Sequence, residues 1–226
     1  ERNALYYRLE QRKKLLEHRP KARTGKNLEK VKNDLHMPDL PVHIECFDNS
    51  NIMGTNPVAA CAVFRNGKPS KKDYRHFNIK TVTGPDDFSS MEEVIYRRYK
   101  RLIEEGRPTP QLVIIDGGKG QLASAMKSID RLNLRDKITV IGIAKRLEEI
   151  YFPGDSVPIY LDKNSYSLKL IQQLRNEAHR FGINFHRDKR SADMLKSELD
   201  EIKGIGPATR EKLLKHFGSL DKIKAA

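Results

Sequence analysis

The six residues Gln111 to Asp116, QLVIID, lie between two amphipathic helical patterns, and this arrangement constrains the fold more than any other stretch. The run is too short and too β-branched for a helix, so it reads as a strand buried on both faces. Before it, SSMEEVIYRRYKRLIEE places Met91, Val94, Ile95, Tyr99, Leu102 and Ile103 at helical spacing, with Ser89 and Glu92 in capping-box positions. After it, GQLASAMKSIDRLN repeats Leu122, Ala125, Met126, Ile129 and Leu132, and Ile138 to Ala144 reads as another strand. Strand, helix and strand in succession demand parallel pairing through right-handed crossovers.

Upstream, VHIECFD alternates, with Val42, Ile44 and Cys46 on one face. A second strand at Pro57 to Phe64, the Asn-Gly turn signal RNGK, and a third strand at Tyr74 to Lys80 complete an expected antiparallel meander. Downstream, EEIYFPGDSVPIYLD suggests a hairpin, and Ser165 to Phe181 a helix with Leu168, Ile171, Leu174, Ala178 and Phe181 inward. The expected class is α/β, a mixed sheet flanked by helices.

The chain has 226 residues and a formal charge of +13, so a polyanion is the first partner to consider. Eleven Lys/Arg and four Glu fall in the first 32 residues, which read as a helix followed by a solvated basic arm. No run of about 18 apolar residues exists and the charged start lacks a signal-peptide centre, so a soluble, cytoplasmic protein with no membrane partner is expected. Cys46 and Cys61 sit in apolar runs and read as buried thiols of a reducing compartment.

Past the polar stretch Asn184 to Asp193 lies LDEIKGIGPATREKLLKHFGSLDKI, a motif of about 30 residues, too small to bury a core alone. The expected organisation is a basic helical arm at 1–37, a main domain at 38–186, a hinge at 187–196 and a small module at 197–226.

Asp48 ends the first strand and Asp116 the fourth. In a mixed sheet of this order those strands can lie parallel and adjacent, at the edge where ligands of open α/β sheets gather. Two neighbouring carboxylates are unfavourable unless a cation sits between them or one is protonated, and a divalent metal follows naturally. Gly117, Gly118 and Gly120 would then let a bulky substrate approach; alternatively Asp116 only caps the next helix and the glycines make a turn. His179, on the border of its helix's apolar stripe, can reach the same rim or remain a surface histidine. Asp86 and Asp87 precede a helix, where capping and dipole compensation compete with a metal-related role. Lys119 is either a phosphate contact or a solvated lysine. In the tail, Gly204, Ile205 and Gly206 form a tight hairpin opening onto a helix, a place suited to a phosphate oxygen, with Lys203, Thr209, Arg210 and Lys212 adding charge or donors.

Taken in order, ECFDNSN, GPDDF, VIIDGGKGQ, RNEAHRF and ELDEIKGIGPATREKLLKHFGS resemble the C-terminal half of the UvrC family, the incision subunits of bacterial nucleotide excision repair. The resemblance covers nearly everything from Val42 to Ile223 and implies an RNase H-like endonuclease domain joined to a helix-hairpin-helix motif, half of a usual tandem pair. It further implies a cut on the 5′ side of a lesion in double-stranded damaged DNA, UvrB as the partner of the full-length protein, and Mg²⁺ or Mn²⁺ as cofactor. By position it makes Asp48, Asp116 and His179 the metal-binding triad, with Asp87 matching a further acidic residue. The residues after Asp48, NSNIMG, depart from the family's usual pattern. A non-catalytic DNA-binding module and a scaffold docking an acidic protein are the competing readings.

Overall fold

The computed structural model describes residues 24–50, 58–80, 82, 86–144, 148–200, 206–217 and 223. Its centre is a mixed seven-stranded sheet: β1 (His43–Ser50), β2 (Val58–Arg65), β3 (Lys68–Pro69), β4 (Arg75–Asn78), β5 (Leu112–Asp116), β6 (Thr139–Ala144) and β7 (Glu149–Tyr151). The order is β3-β2-β1-β5-β6-β7, with β4 also on β2. β1 runs antiparallel to β2 and parallel to β5, and β5 parallel to β6. QLVIID is thus the central strand it reads as, with all five residues of β5 buried.

The meander is present with one change. The third strand expected at Tyr74 to Lys80 is β4, and a further two-residue strand, β3, precedes it across a short 3-10 turn, Lys71–Asp73. The tight turn before it is as expected: Asn66 and Gly67 both take positive φ, 52° and 71°, the pair that a two-residue hairpin with native twist requires. β7 and the bridge between Ile150 and Ile159 form the expected downstream hairpin, with Gly154 at φ 89° in its turn.

Strand side chains alternate, so the sheet has two distinct faces. One carries Ile44, Cys46 and Asp48 of β1 with Ile114 and Asp116 of β5; the other carries Glu45 and Phe47 with Val113 and Ile115. Cys46 and Cys61 are buried free thiols on opposite faces, because Cys61 is registered against Phe47 rather than Cys46.

The Phe47 face is covered by α2 (Asp87–Glu104), whose Tyr99 meets Phe47 edge-on, and α3 (Lys119–Arg131) packs beside α2. Small buried residues, Ser90 on α2 and Ser124 and Ser128 on α3, bring the two helices close, and Ser128 donates to the Glu92 carbonyl at 2.6 Å. α2 begins earlier than the capping-box reading places it. Asp86 is the N-cap and accepts from the Phe88 and Ser89 amides, while the Ser89 hydroxyl donates to the same carboxylate.

Two segments differ from expectation. Residues 24–34, within the basic helical arm expected at 1–37, are helical (α1) but not solvated throughout: Leu28, Val31 and Leu35 are buried at spacings of three and four. Each such side chain contributes roughly 1.5–3 kcal/mol, enough to draw a charged helix onto a core. Asp34 also accepts from the buried Ser167 hydroxyl at 2.6 Å. At the other end α4 runs Tyr166–Asp200, so the stretch 187–196 expected as a hinge is helical, and the chain divides between Gly182 and Ile183. Polarity alone does not end a helix; proline does, and none occurs between 166 and 200. In the second unit α5 (Pro207–Phe217) opens with proline at its first position, where the missing N–H costs nothing.

Candidate metal centre

The parallel register sets the site. Phe47 pairs with Ile115, so the next residues, Asp48 and Asp116, stand side by side on one face at the carboxyl ends of adjacent strands. Both are nearly inaccessible, at 2% and 4%. α4 crosses the same face with Leu168, Ile171, Leu174 and Ala178 buried, which turns His179 to the rim. Its Nδ1 lies 2.8 Å from Asp48 Oδ2 while half of the side chain, 51%, stays exposed. One donor atom from each of Asp48, Asp116 and His179 falls within 4.8 Å of the others.

Oxygen-rich, anionic and compact, this donor set fits a hard divalent ion. Cys46, buried beneath the carboxylates, registers the local charge. Burial pushes its thiol well up, and the negative fields of Asp116 and Asp48 push it further. Arg175, one helical turn before His179, supplies an opposing positive field and donates to Glu148 at 3.1 Å.

The turn after Asp116 resolves the role of the glycines. The Gly117 amide bonds to the carbonyls of Ile115 and Ile143, Gly118 is the N-cap of α3, and no side chain caps that helix. Asp116 is therefore not a cap. A Cβ on Gly117 would collide with the Gln121 side chain, and one on Gly120 would stand 2.5 Å from Phe88 Cε1. Gly118 alone of the three opens onto free space, so the approach path expected of all three belongs to one.

The remaining expected residues are more scattered. Asp87 lies in the first turn of α2, outside the three-residue cluster, but its carbonyl accepts from Asn49 Nδ2 at 2.8 Å, tying that turn to the residue after Asp48. Lys119 donates to the Ser156 carbonyl and lies over the Tyr151 ring at 5.0 Å. Gly206, Thr209 and Lys212 are exposed at the start of α5; Arg210 lies on the same helix, and Lys203, Gly204 and Ile205 fall outside the described residues.

Sequence reasoning missed one polar cluster. Glu45, fully buried, accepts from Arg98 Nη2 at 2.5 Å and Nε at 3.2 Å, from the Tyr99 hydroxyl at 3.1 Å, and faces His43 Nε2 at 3.1 Å. Burial alone would raise its carboxyl, but the His43 and Arg98 contacts overcome this and hold it at about 2. The available signal was a glutamate set between the apolar Ile44 and Cys46 of a strand. Asn49 and Arg175 were likewise passed over.

A mixed α/β domain with two strand-end aspartates and a helical histidine around one point is the class of fold and site that could hold a cation at the carboxyl end of its central strands. The family model of the UvrC RNase H endonuclease domain matches residues 32–183, and the chain belongs to that family. Among curated relatives, UvrABC system protein C of Flavobacterium johnsoniae is 63% identical over 225 residues and that of Christiangramia forsetii 62% over 226. Each alignment covers all of this chain, which spans 38% of the length of either relative. The solved endonuclease V of Bacillus subtilis aligns at a TM-score of 0.36 and 13% identity, over 70% of this chain and 91% of that one, a likeness too slight to carry an argument.

Proposed function

We propose that this chain is the part of a longer repair protein that hydrolyses a DNA phosphodiester on the 5′ side of a lesion, using Mg²⁺ or Mn²⁺. The observation that carries the reading is the register that sets Asp48 beside Asp116 with His179 at 2.8 Å. Family membership and the net charge of +13 support DNA as the substrate. In this reading residues 38–186 form the nuclease domain, 197–226 belong to a helix-hairpin-helix module holding the duplex backbone, and UvrB is the partner that delivers damaged DNA.

Asp48 and Asp116 would hold the ion, which when bound polarises the scissile phosphate and lowers the pKa of a coordinated water. Asp48 accepts the Nδ1 proton of His179, and this fixes the ring and leaves Nε2 to take a proton or to serve as a ligand. Asn49 keeps the end of β1 in place through the Asp87 carbonyl, and Gly118 leaves room for the strand beside Asp116. Arg175 offsets part of the negative charge.

The test is Mn²⁺-dependent nicking of a bubble-containing duplex by this chain beside its Asp48→Asn/Asp116→Asn variant. Nicking by the parent alone, with duplex binding equal in both, supports the reading. Equal nicking by both proteins would overturn it. If neither nicks, the pair is compared with UvrB loaded on damaged DNA, and failure there as well leaves a binding module without catalysis.

A further inference from the structure

Phe88 leaves 54% of its surface exposed, although it follows Asp87 directly in the first turn of α2. Two ties hold it there. Asn49, next to Asp48, donates to the Asp87 carbonyl, and the Phe88 ring rests on Gly120, four residues after Asp116, so closely that a Cβ would come within 2.5 Å. An apolar ring is therefore seated at the same end of the sheet as the carboxylate pair, tied to β1 one residue past Asp48 and to the first turn of α3 four residues past Asp116. The third glycine of DGGKG exists to seat it.

The ring forms one wall of an open cleft whose other lining residues are Asp86, Asp87, Gly118, Gly120 and Gln121. None of these lining side chains is cationic and two are carboxylates, so the side chains disfavour a phosphate. The cleft offers instead a flat apolar face, carboxylates that accept from amino groups, and an amide that can donate or accept. That combination suits a neutral nucleobase, stacked by its face and met at its edge.

We propose that Phe88 stacks an unpaired nucleobase of the strand whose phosphate lies at the Asp48 and Asp116 centre. The inference rests on the nuclease reading above and deepens it by naming the feature of the substrate that is read. A base held in a duplex has its faces covered by its neighbours; an unpaired base at a bubble does not. The cleft thus selects locally opened DNA next to the cut.

The chain contains no tryptophan, so Phe88→Trp introduces a single reporter at this position. In an Asp116→Asn background that prevents cutting, saturation with a bubble duplex should quench its emission, and a fully paired duplex of equal length should not. Phe88→Leu keeps the apolar contact on Gly120 but lacks a ring. It should weaken bubble binding by anisotropy about fivefold or more and leave paired-duplex binding unchanged, with its melting temperature showing an intact fold. Bubble binding with unaltered emission, or with full affinity in Phe88→Leu, overturns the inference and leaves the nuclease reading standing. Absence of DNA binding by the parent, together with absence of nicking both alone and with UvrB on damaged DNA, removes both.

Discussion

His179 Nδ1 stands 2.8 Å from Asp48 Oδ2 across 131 residues of sequence, joining the middle of α4 to the end of β1. Replacing His179 by Ala is expected to lower Mn²⁺-dependent nicking roughly 10²–10⁴-fold while leaving duplex binding intact. A ligand role shows as a higher Mn²⁺ requirement; a proton-transfer role leaves that requirement alone and changes the pH–rate profile. Undiminished nicking by the variant would remove His179 from the site.

Side by side, Asp48 and Asp116 repel until a cation separates them. In chelator, Asp116→Asn should therefore melt at or above the parent. Ion at a hundred times its Kd stabilises by about 2.7 kcal/mol, which for a domain of this size is an upward shift of about 5–10 °C in Tm. Differential scanning calorimetry with and without Mn²⁺ should show that shift in the parent and not in the variant; equal shifts would place the ion elsewhere.

The buried Glu45 gives the fold an acid limit. Its carboxyl is held at about 2, below the ordinary 4.5, so its contribution to stability is complete above about pH 4.5 and is lost as pH falls toward 2. That contribution is on the order of 3 kcal/mol. Glu45→Gln strands the Arg98 guanidinium and should cost about 3–5 kcal/mol at neutral pH. Urea midpoints measured from pH 7 to pH 3 would show the parent falling toward the variant; parallel curves would refute the assignment.

Gly142 faces the turn after Asp116. A Cβ there would lie 3.0 Å from the Gly117 carbonyl oxygen and 3.2 Å from Leu122 Cβ. Gly142→Ala should cost about 1–3 kcal/mol and reduce nicking, because relief of the overlap moves the peptide that follows Asp116. Denaturant melts and nicking rates on one preparation test both parts; a variant with parental stability and rate would show that the turn yields freely.

Much of the sheet was legible in the sequence because its evidence is local. A β-branched run between two helical patterns requires parallel pairing, and Asn66-Gly67 requires a tight hairpin. The helix stripes on α2, α3 and α4 showed most of the buried residues, but not all: Ile103 of the α2 stripe is 47% exposed, and Leu132 and Phe181 are only half-buried. Helix ends were less legible. Asp86 displaced the capping box at Ser89 because its carboxylate reaches two amides, and α4 continued past a polar stretch that contains no residue able to stop it.

At the site, the sequence by itself determined that Asp48 and Asp116 end strands and that His179 borders an apolar stripe. Only tertiary structure decided that the three meet, because strand register and the placement of α4 arise from side-chain packing between distant segments. The same applies to Glu45 with Arg98 and to Phe88 with Gly120. Residues 53 and 32 positions apart carry no periodic signal of one another; what pairs them is the requirement that a buried charge find a partner and that a helix pack within reach of a loop.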